Sequence, residues 1–222
     1  MPESGEDLFE RFCTSLGLRH ERIAEAEEQG MQRPDYRVVG SDGTRFVAEV
    51  KLITPSVEEA RDIARVLRGE IVANGGTPGE RMRGLIGRAN QQLKALGDDA
   101  PGLLVVFNPE FILRRHTDPY AILTAMRGLD TIDVHLPRDP REAPVFGDLR
   151  SGGRKKMTAS DNTSTSAIVC PEESALGEWR VRVYHNRFAV RPMDLGSLRG
   201  TSVVHFRIAG DERDWTPVRA AV

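Results

Sequence analysis

Residues 34–51 read PDYRVVGSDGTRFVAEVK and contain the signals that decide the fold. Two runs of β-branched and aromatic residues flank Ser41-Asp42-Gly43. A three-residue loop that ends in glycine is typical of a β-hairpin, because glycine adopts a positive φ at no steric cost. With Asp42 at the centre of the loop, residues equally distant from it face each other. This register predicts that Asp35 lies opposite Glu49.

The predicted hairpin brings two carboxylates and an amine to one face of a sheet. Directly opposed residues have Cβ atoms about 4.5–5.5 Å apart, and like charges at that distance destabilise the sheet. Side chains alternate along a strand, so Lys51 shares the face of Glu49. The opposite, core-facing side is predicted to consist of Phe46, Ala48, Val50 and Leu52. A divalent cation such as Mg²⁺ bound by both carboxylates would remove the repulsion. In the alternative interpretation, Glu49 and Lys51 are only the solvent-exposed face of an amphipathic strand.

The order of these residues resembles the PD-(D/E)xK nuclease superfamily, which includes restriction endonucleases and Holliday-junction resolvases. The motif is matched by Pro34-Asp35 and by Glu49-Val50-Lys51, and the resemblance covers about residues 4–108. It implies a nuclease that uses Mg²⁺ or Mn²⁺ to cleave DNA, and it does not exclude RNA as a substrate. Asp35 and Glu49 would bind the metal, and Lys51 would position water or neutralise charge on the phosphate.

The resemblance also implies assisting residues on two helices. A glutamate of the first helix often joins the site in this family, so Glu6 and Glu10 are both candidates, and Glu6 is preferred as a further metal ligand. A glutamine on the helix after the lysine strand is a second family feature, for which Gln92 is preferred over Gln91. The ordinary alternatives are acids that favour the helix dipole and glutamines that favour helix formation.

Patterns elsewhere in the chain predict a mixed α/β core. Capping boxes at Ser4 and Ser56 begin helices that are expected to end at Gly17 and near Ile71. Further helices are predicted over 80–96 and 119–126. Strands are predicted over 18–24, 103–107, 132–136, 166–170, 179–184, 187–190 and 201–208.

Together with the resemblance, these elements imply a restriction-endonuclease-like α/β fold, in which helices flank a mixed central sheet that continues into a β-rich C-terminal extension. The nuclease-like core is expected over residues 1–136 and a flexible basic loop or linker over 137–163. Residues 164–222 are expected to form the β-rich extension, either as part of the same domain or as a small subdomain.

Composition limits the class of protein. With 222 residues, 39% hydrophobic and 29% charged, the chain is typical of a globular protein. No run approaches the roughly 20 apolar residues of a membrane-spanning helix, so a membrane is not an expected partner. Two distant cysteines and an N-terminus without a basic and apolar leader favour a cytoplasmic location.

Charge limits the expected partners. The net charge is −2, and residues 1–60 carry 13 acidic but only 7 basic residues, so contact with DNA must be local. The candidate phosphate-binding residues are Arg81, Arg88, Lys94, Arg154, Lys155 and Lys156. A homodimer or a partner protein in a larger assembly is also considered. The competing prediction is a catalytically inactive, nuclease-like binding or regulatory subunit of a defence or repair assembly, and the weakest is a structural protein with a fortuitous triad.

Overall fold

A computed structural model describes residues 3–24, 33–40, 42–73, 75–97, 99–139, 141–200, 202–208 and 215–218. The helices are α1 (Gly5–Ser15), α2 (Val57–Leu67), α3 (Glu80–Leu96) and α4 (Pro119–Arg127). The strands are β1 (Arg19–Arg22), β2 (Tyr36–Val39), β3 (Arg45–Leu52), β4 (Gly102–Phe107), β5 (Leu129–His135), β6 (Val145–Gly153), β7 (Thr165–Glu173), β8 (Trp179–His185), β9 (Val203–Arg207) and β10 (Thr216–Val218). Short 3₁₀ helices span Phe111–His116 and Leu195–Ser197.

Eight of these strands form one mixed sheet in the order β1-β2-β3-β4-β7-β8-β9-β10. The central strands β3, β4 and β7 are parallel, whereas β1, β2 and β3 are joined by antiparallel pairing. The described strands after residue 164 therefore continue the same sheet. The mixed α/β class is confirmed.

Helices cover both faces of the sheet and produce two main cores. On one face, Phe9 and Phe12 of α1 pack in a cluster with alternate residues of β2, β3 and β4. On the other face, α3 and α4 supply Met82, Ile86 and Ile122. All six residues of β4 are buried, because both faces of this strand are covered. The helices of the described chain include none that is long and apolar enough to cross a membrane.

Both predicted capping boxes are present, since Ser4 and Ser56 each accept a hydrogen bond from the amide three residues later. Helix α2 ends at Leu67 rather than near Ile71, which is 96% exposed and has no packing to extend the helix. Helix α3 has the predicted bounds and ends at Gly97, where φ is 65°.

The region 137–163 differs from the expected loop or linker, because residues 145–153 form β6 and pair with β5 in a separate two-stranded sheet. The end of this region is tied to the fold. Lys156 N donates to Ala125 O at 3.2 Å, and the side chain of Asn186 donates to Asn162 O at 3.2 Å.

The prediction of a strand over 187–190 is wrong. Phe188 N donates to the Asn186 side chain at 3.0 Å, and Ala189 N donates to Asn186 O at 3.2 Å. These local hydrogen bonds make a turn after β8, and they compete with strand pairing. The short strand β10 was not predicted.

Candidate active site

The hairpin of β2 and β3 has the predicted register. Its pairs, Tyr36 with Ala48, Arg37 with Val47 and Val38 with Phe46, are each equally distant from Asp42. The ladder begins at Tyr36, so Asp35 lies one residue outside it, at the level of Glu49 on the neighbouring strand.

Asp35 extends the ladder with its side chain. Its own amide donates to Ala48 O at 3.1 Å, and Val50 N then donates to Asp35 Oδ2 at 2.6 Å. The carboxylate thus takes the place of a backbone carbonyl at the point where β2 ends. Within the described ranges no group donates a hydrogen bond to Oδ1.

Glu49 is a fully buried carboxylate, with a side-chain exposure of 0%. Its Oε1 is in ion-pair contact with Lys51 Nζ, but in the described chain neither oxygen accepts a well-formed hydrogen bond. Burial raises the pKa of Glu49 to about 7, and the charge of Asp35 acts in the same direction, whereas Lys51 opposes the rise. The interpretation of Glu49 as a solvent-exposed strand residue is therefore wrong.

The positive charge of Lys51 favours the ionised form of both carboxylates, Asp35 and Glu49. Its side chain is 27% exposed, so the ammonium group is at the boundary between the core and solvent. Burial raises the pKa of Asp35, while the Val50 amide and the Lys51 charge oppose this rise. The three residues of the motif are therefore brought into one site.

The two glutamates of α1 have different surroundings. Glu6 Oε1 lies 3.8 Å from Arg22 Nη2, and the charge of Glu6 contributes to the raised pKa of Asp35. Glu10 accepts a hydrogen bond from the hydroxyl of Tyr36 at 2.9 Å. Burial, followed by this carboxylate, raises the pKa of Tyr36. The charge of Glu6 thus acts on Asp35, whereas Glu10 is engaged by the hydroxyl of Tyr36.

Helix α3 brings Gln92 to the site. The amide of Gln92 favours the ionised form of Glu49, and Nε2 donates a long hydrogen bond of 3.4 Å to Arg33 O. Gln91 is exposed on the helix. Of the two glutamines considered, Gln92 is the one in contact with the site.

The six basic residues expected to contact DNA are dispersed. Arg81 forms an ion pair with Glu59 at 2.8 Å, and Arg154 lies 3.3 Å from Glu80. Arg81 and Lys94 lie at opposite ends of α3, roughly 20 Å apart by the helical rise. Arg88, Lys94 and Lys155 are exposed, and Lys156 is half-buried. Two of the six are thus engaged by acids.

Sequence reasoning missed Arg22. This residue pairs with Tyr36 across the β1–β2 ladder, so its side chain lies on the α1 side of the sheet. There it contacts Glu6 and opposes the raised pKa of Asp35. The signal is weak in sequence, because a strand of four residues shows too few alternations to fix its faces.

The oxygens of Asp35 and Glu49 fit a hard divalent cation. Mg²⁺ is commonly bound by one or two carboxylates, with water and substrate phosphate oxygens as further ligands. Asp35 Oδ1 and the two oxygens of Glu49 have no well-formed hydrogen bond from a described residue. No group of three or more His, Cys, Asp or Glu side chains that could hold a metal ion is found among the described residues, so Glu6 is not brought together with Asp35 and Glu49 as the expected third ligand.

Comparisons with protein-family models, with curated proteins and with solved structures each found no match. The function is therefore inferred from the geometry of the site and from the motif resemblance.

Proposed function

We propose that the protein has a restriction-endonuclease-like fold and is a nuclease that hydrolyses DNA phosphodiester bonds with Mg²⁺ or Mn²⁺. The observation that carries the proposal is the burial of Glu49 beside Asp35 and Lys51 without a well-formed hydrogen bond to its oxygens. Burial of a carboxylate in this state costs stability. Strongly shifted carboxylates of this kind are enriched at functional sites, where a ligand completes their contacts.

Asp35 Oδ1 and Glu49 would hold the cation, which when bound polarises the phosphate and lowers the pKa of a water molecule. The Val50 amide fixes the Asp35 carboxylate through Oδ2, so Oδ1 is held in one orientation. Gln92 helps to keep Glu49 ionised. Glu6, which is 40% exposed and lies 3.8 Å from Arg22, adds negative charge that acts on Asp35.

Lys51 supplies positive charge for the reaction. Its ammonium group is compact, is carried on a flexible stem and reaches the boundary with solvent. Such a group stabilises negative charge that develops on a phosphate, and it orients an attacking water. Because Lys51 contacts Glu49, the same side chain also limits the cost of a buried charge before substrate binds.

The test is cleavage of supercoiled plasmid DNA in Mg²⁺ or Mn²⁺. Asp35→Asn, Glu49→Gln and Lys51→Ala are each expected to reduce the nicking rate at least about 100-fold. Glu178→Gln, which removes an exposed carboxylate before β8, is the matched control and is expected to cleave normally. EDTA should abolish the activity of the wild-type protein.

Cleavage that persists in EDTA, or in the Glu49→Gln variant, would overturn the proposal. A wild-type protein that binds DNA but never nicks it would instead support the inactive, nuclease-like binding subunit. Glu6→Gln and Glu10→Gln separate the two α1 glutamates, since only Glu6→Gln is expected to slow cleavage.

A further inference from the structure

An open groove of about 440 Å³ lies on the sheet formed by β1, β2 and β3. Tyr36, Val38 and Phe46 are in the core on the α1 side. The residues that alternate with them along β2 and β3 therefore lie on the opposite face of the sheet. On that opposite face α3 covers Val47 through Leu93. The part of the face beyond Val47 is exposed and forms the groove.

Three arginines line this groove, one from each strand. Arg19 is paired with Val39, and Val39 is paired with Arg45, so these two arginines are separated by two strand spacings of about 10 Å in total. Arg37 lies two residues further along, and all three side chains are exposed. Arg19 and Arg45 have no acidic partner in the described ranges. Among the described lining residues the acid is Glu21, which is paired with Arg37 across the β1–β2 ladder.

The groove lies on the same face of the sheet as Asp35 and Glu49. Asp35 precedes Arg37 by two residues, and Glu49 follows Val47, the partner of Arg37, by two residues. Two residues of a strand span about 7 Å. Arg37, the arginine of the groove nearest to the two carboxylates, therefore lies about 7 Å from them along the strands, on the face that Glu49 shares with Val47.

The chemistry of the groove favours a phosphate backbone over bases. Guanidinium groups pair with phosphate oxygens in a planar, two-pronged arrangement. Proteins that bind single strands usually add aromatic side chains on which bases stack. Among the described lining residues, the one large aromatic ring is that of Phe46, which is buried in the core on the α1 side.

We infer that the arginine groove of Arg19, Arg37 and Arg45 binds the sugar–phosphate backbone of duplex DNA next to the active site, without reading its sequence. This inference rests on the proposed nuclease function, which supplies the reason for DNA to approach this face. It assigns the contact to residues other than the six basic residues expected from the sequence.

The test is binding of a fluorescent 20-base-pair duplex of arbitrary sequence, measured by anisotropy in EDTA over a series of NaCl concentrations. Each phosphate contact contributes about −0.9 to the slope of log K against log salt concentration. The double variant Arg19→Ala/Arg45→Ala is therefore expected to have a slope shallower by about 1.8 and to bind roughly 50-fold more weakly at 0.1 M NaCl. Duplexes of different sequence should bind equally.

Two matched variants sharpen this test. Glu21→Gln removes the negative charge of the groove and is expected to strengthen binding. Arg180→Ala removes an exposed arginine of β8, three strand positions from β3, and should leave the affinity and the slope unchanged. The thermal unfolding midpoint of each variant identifies any loss of folded protein.

Equal affinity and slope in the wild-type and double-variant proteins would overturn the inference. Tighter binding of a single strand than of the duplex would also overturn it. The two proposals fail separately. A wild-type protein that cleaves DNA while the double variant binds normally contradicts only the groove, whereas salt-dependent binding through the groove without any cleavage contradicts only the nuclease.

Discussion

Two antiparallel hairpins of the described chain, β2–β3 and β5–β6, differ in the side chains that they bury and expose. The β2–β3 hairpin lies inside the main sheet and buries Glu49, a carboxylate with an exposure of 0%. The β5–β6 hairpin lies in its own two-stranded sheet and exposes Phe146 at 65% and Ile132 at 46%. Neighbouring elements, and not residue type alone, therefore decide what is buried.

The two hairpins differ because other strands and helices cover more of the edges and faces of the β2–β3 hairpin. The β2–β3 hairpin has strands on both edges and helices α1 and α3 on its faces. In the β5–β6 hairpin, Ile132 is paired with Leu149 and Val134 with Phe146, so apolar side chains lie together on one face. No third strand in the described chain extends this hairpin.

The largest expected difference between the hairpins is in a matched pair of phenylalanines. Phe46→Ala removes a ring that is 3% exposed in the core and should lower the free energy of unfolding by about 3–5 kcal/mol. Phe146→Ala should change it by no more than about 0.5 kcal/mol, because the ring is already largely in solvent. Urea unfolding followed by far-UV circular dichroism measures both. Similar losses in the two variants would contradict the comparison.

The next effect concerns the buried charge of Glu49. Its pKa is about 7 in the folded protein and 4.5 ordinarily, so between these values the folded state holds a proton that the unfolded chain releases. The free energy of unfolding therefore falls as pH rises through this window, by about 3 kcal/mol in the absence of divalent cations.

Glu49→Gln should abolish this fall. Other groups contribute to the pH dependence of both proteins, because burial lowers the pKa of His185 to about 3 and also lowers that of His205, which makes the fold less stable in acid. The difference in unfolding free energy between wild type and variant, measured at pH 4.5 and pH 8, isolates Glu49. A difference that does not vary with pH would show that the carboxylate has an ordinary pKa.

A smaller effect is expected from the hydrogen bond that Asp35 accepts. Asp35→Ala leaves Val50 N without its acceptor and should cost about 1–3 kcal/mol. Asp35→Asn retains an oxygen acceptor and should be more stable than Asp35→Ala, and it is expected to bind Mn²⁺ more weakly than the wild-type protein in calorimetry. If Asn and Ala destabilise the fold equally, the carboxylate does not continue the ladder.

The smallest effect is expected from Asp133, an acidic residue of the β5–β6 hairpin. Asp133 lies 2.9 Å from Arg150, but their side chains are 52% and 74% exposed. Asp133→Ala should change the free energy of unfolding by about 0–1 kcal/mol, and 1 M NaCl should remove the difference. A larger or salt-independent loss would indicate that this hairpin is covered in solution.

The β2–β3 hairpin can be predicted from sequence because its signals lie close together in the chain. The register follows from the loop around Gly43, which has a φ of 83°, and from the alternation of apolar residues in β3. Capping boxes likewise located the beginnings of α1 and α2. These signals involve residues a few positions apart, so sequence alone contains them.

The remaining features depend on distant parts of the chain. Glu49 is buried because α3, formed by residues 80–96, packs over the sheet face that a local alternation pattern marks as polar. The strand β6 contains three glycines and has irregular pairing with β5, so it resembles a loop in sequence. The arginine groove depends on the faces of β1, which is only four residues long.

The pairing of β4 with β7 has a consequence for protein production. Gly102 is paired with Thr165, and α4 and the β5–β6 hairpin lie between them in the chain. During synthesis on a ribosome, β4 is complete well before its partner has emerged. Until then one edge of an entirely apolar strand has no hydrogen-bonding neighbour, which promotes association between nascent chains. Expression of fragments that stop before residue 165 should therefore give insoluble material.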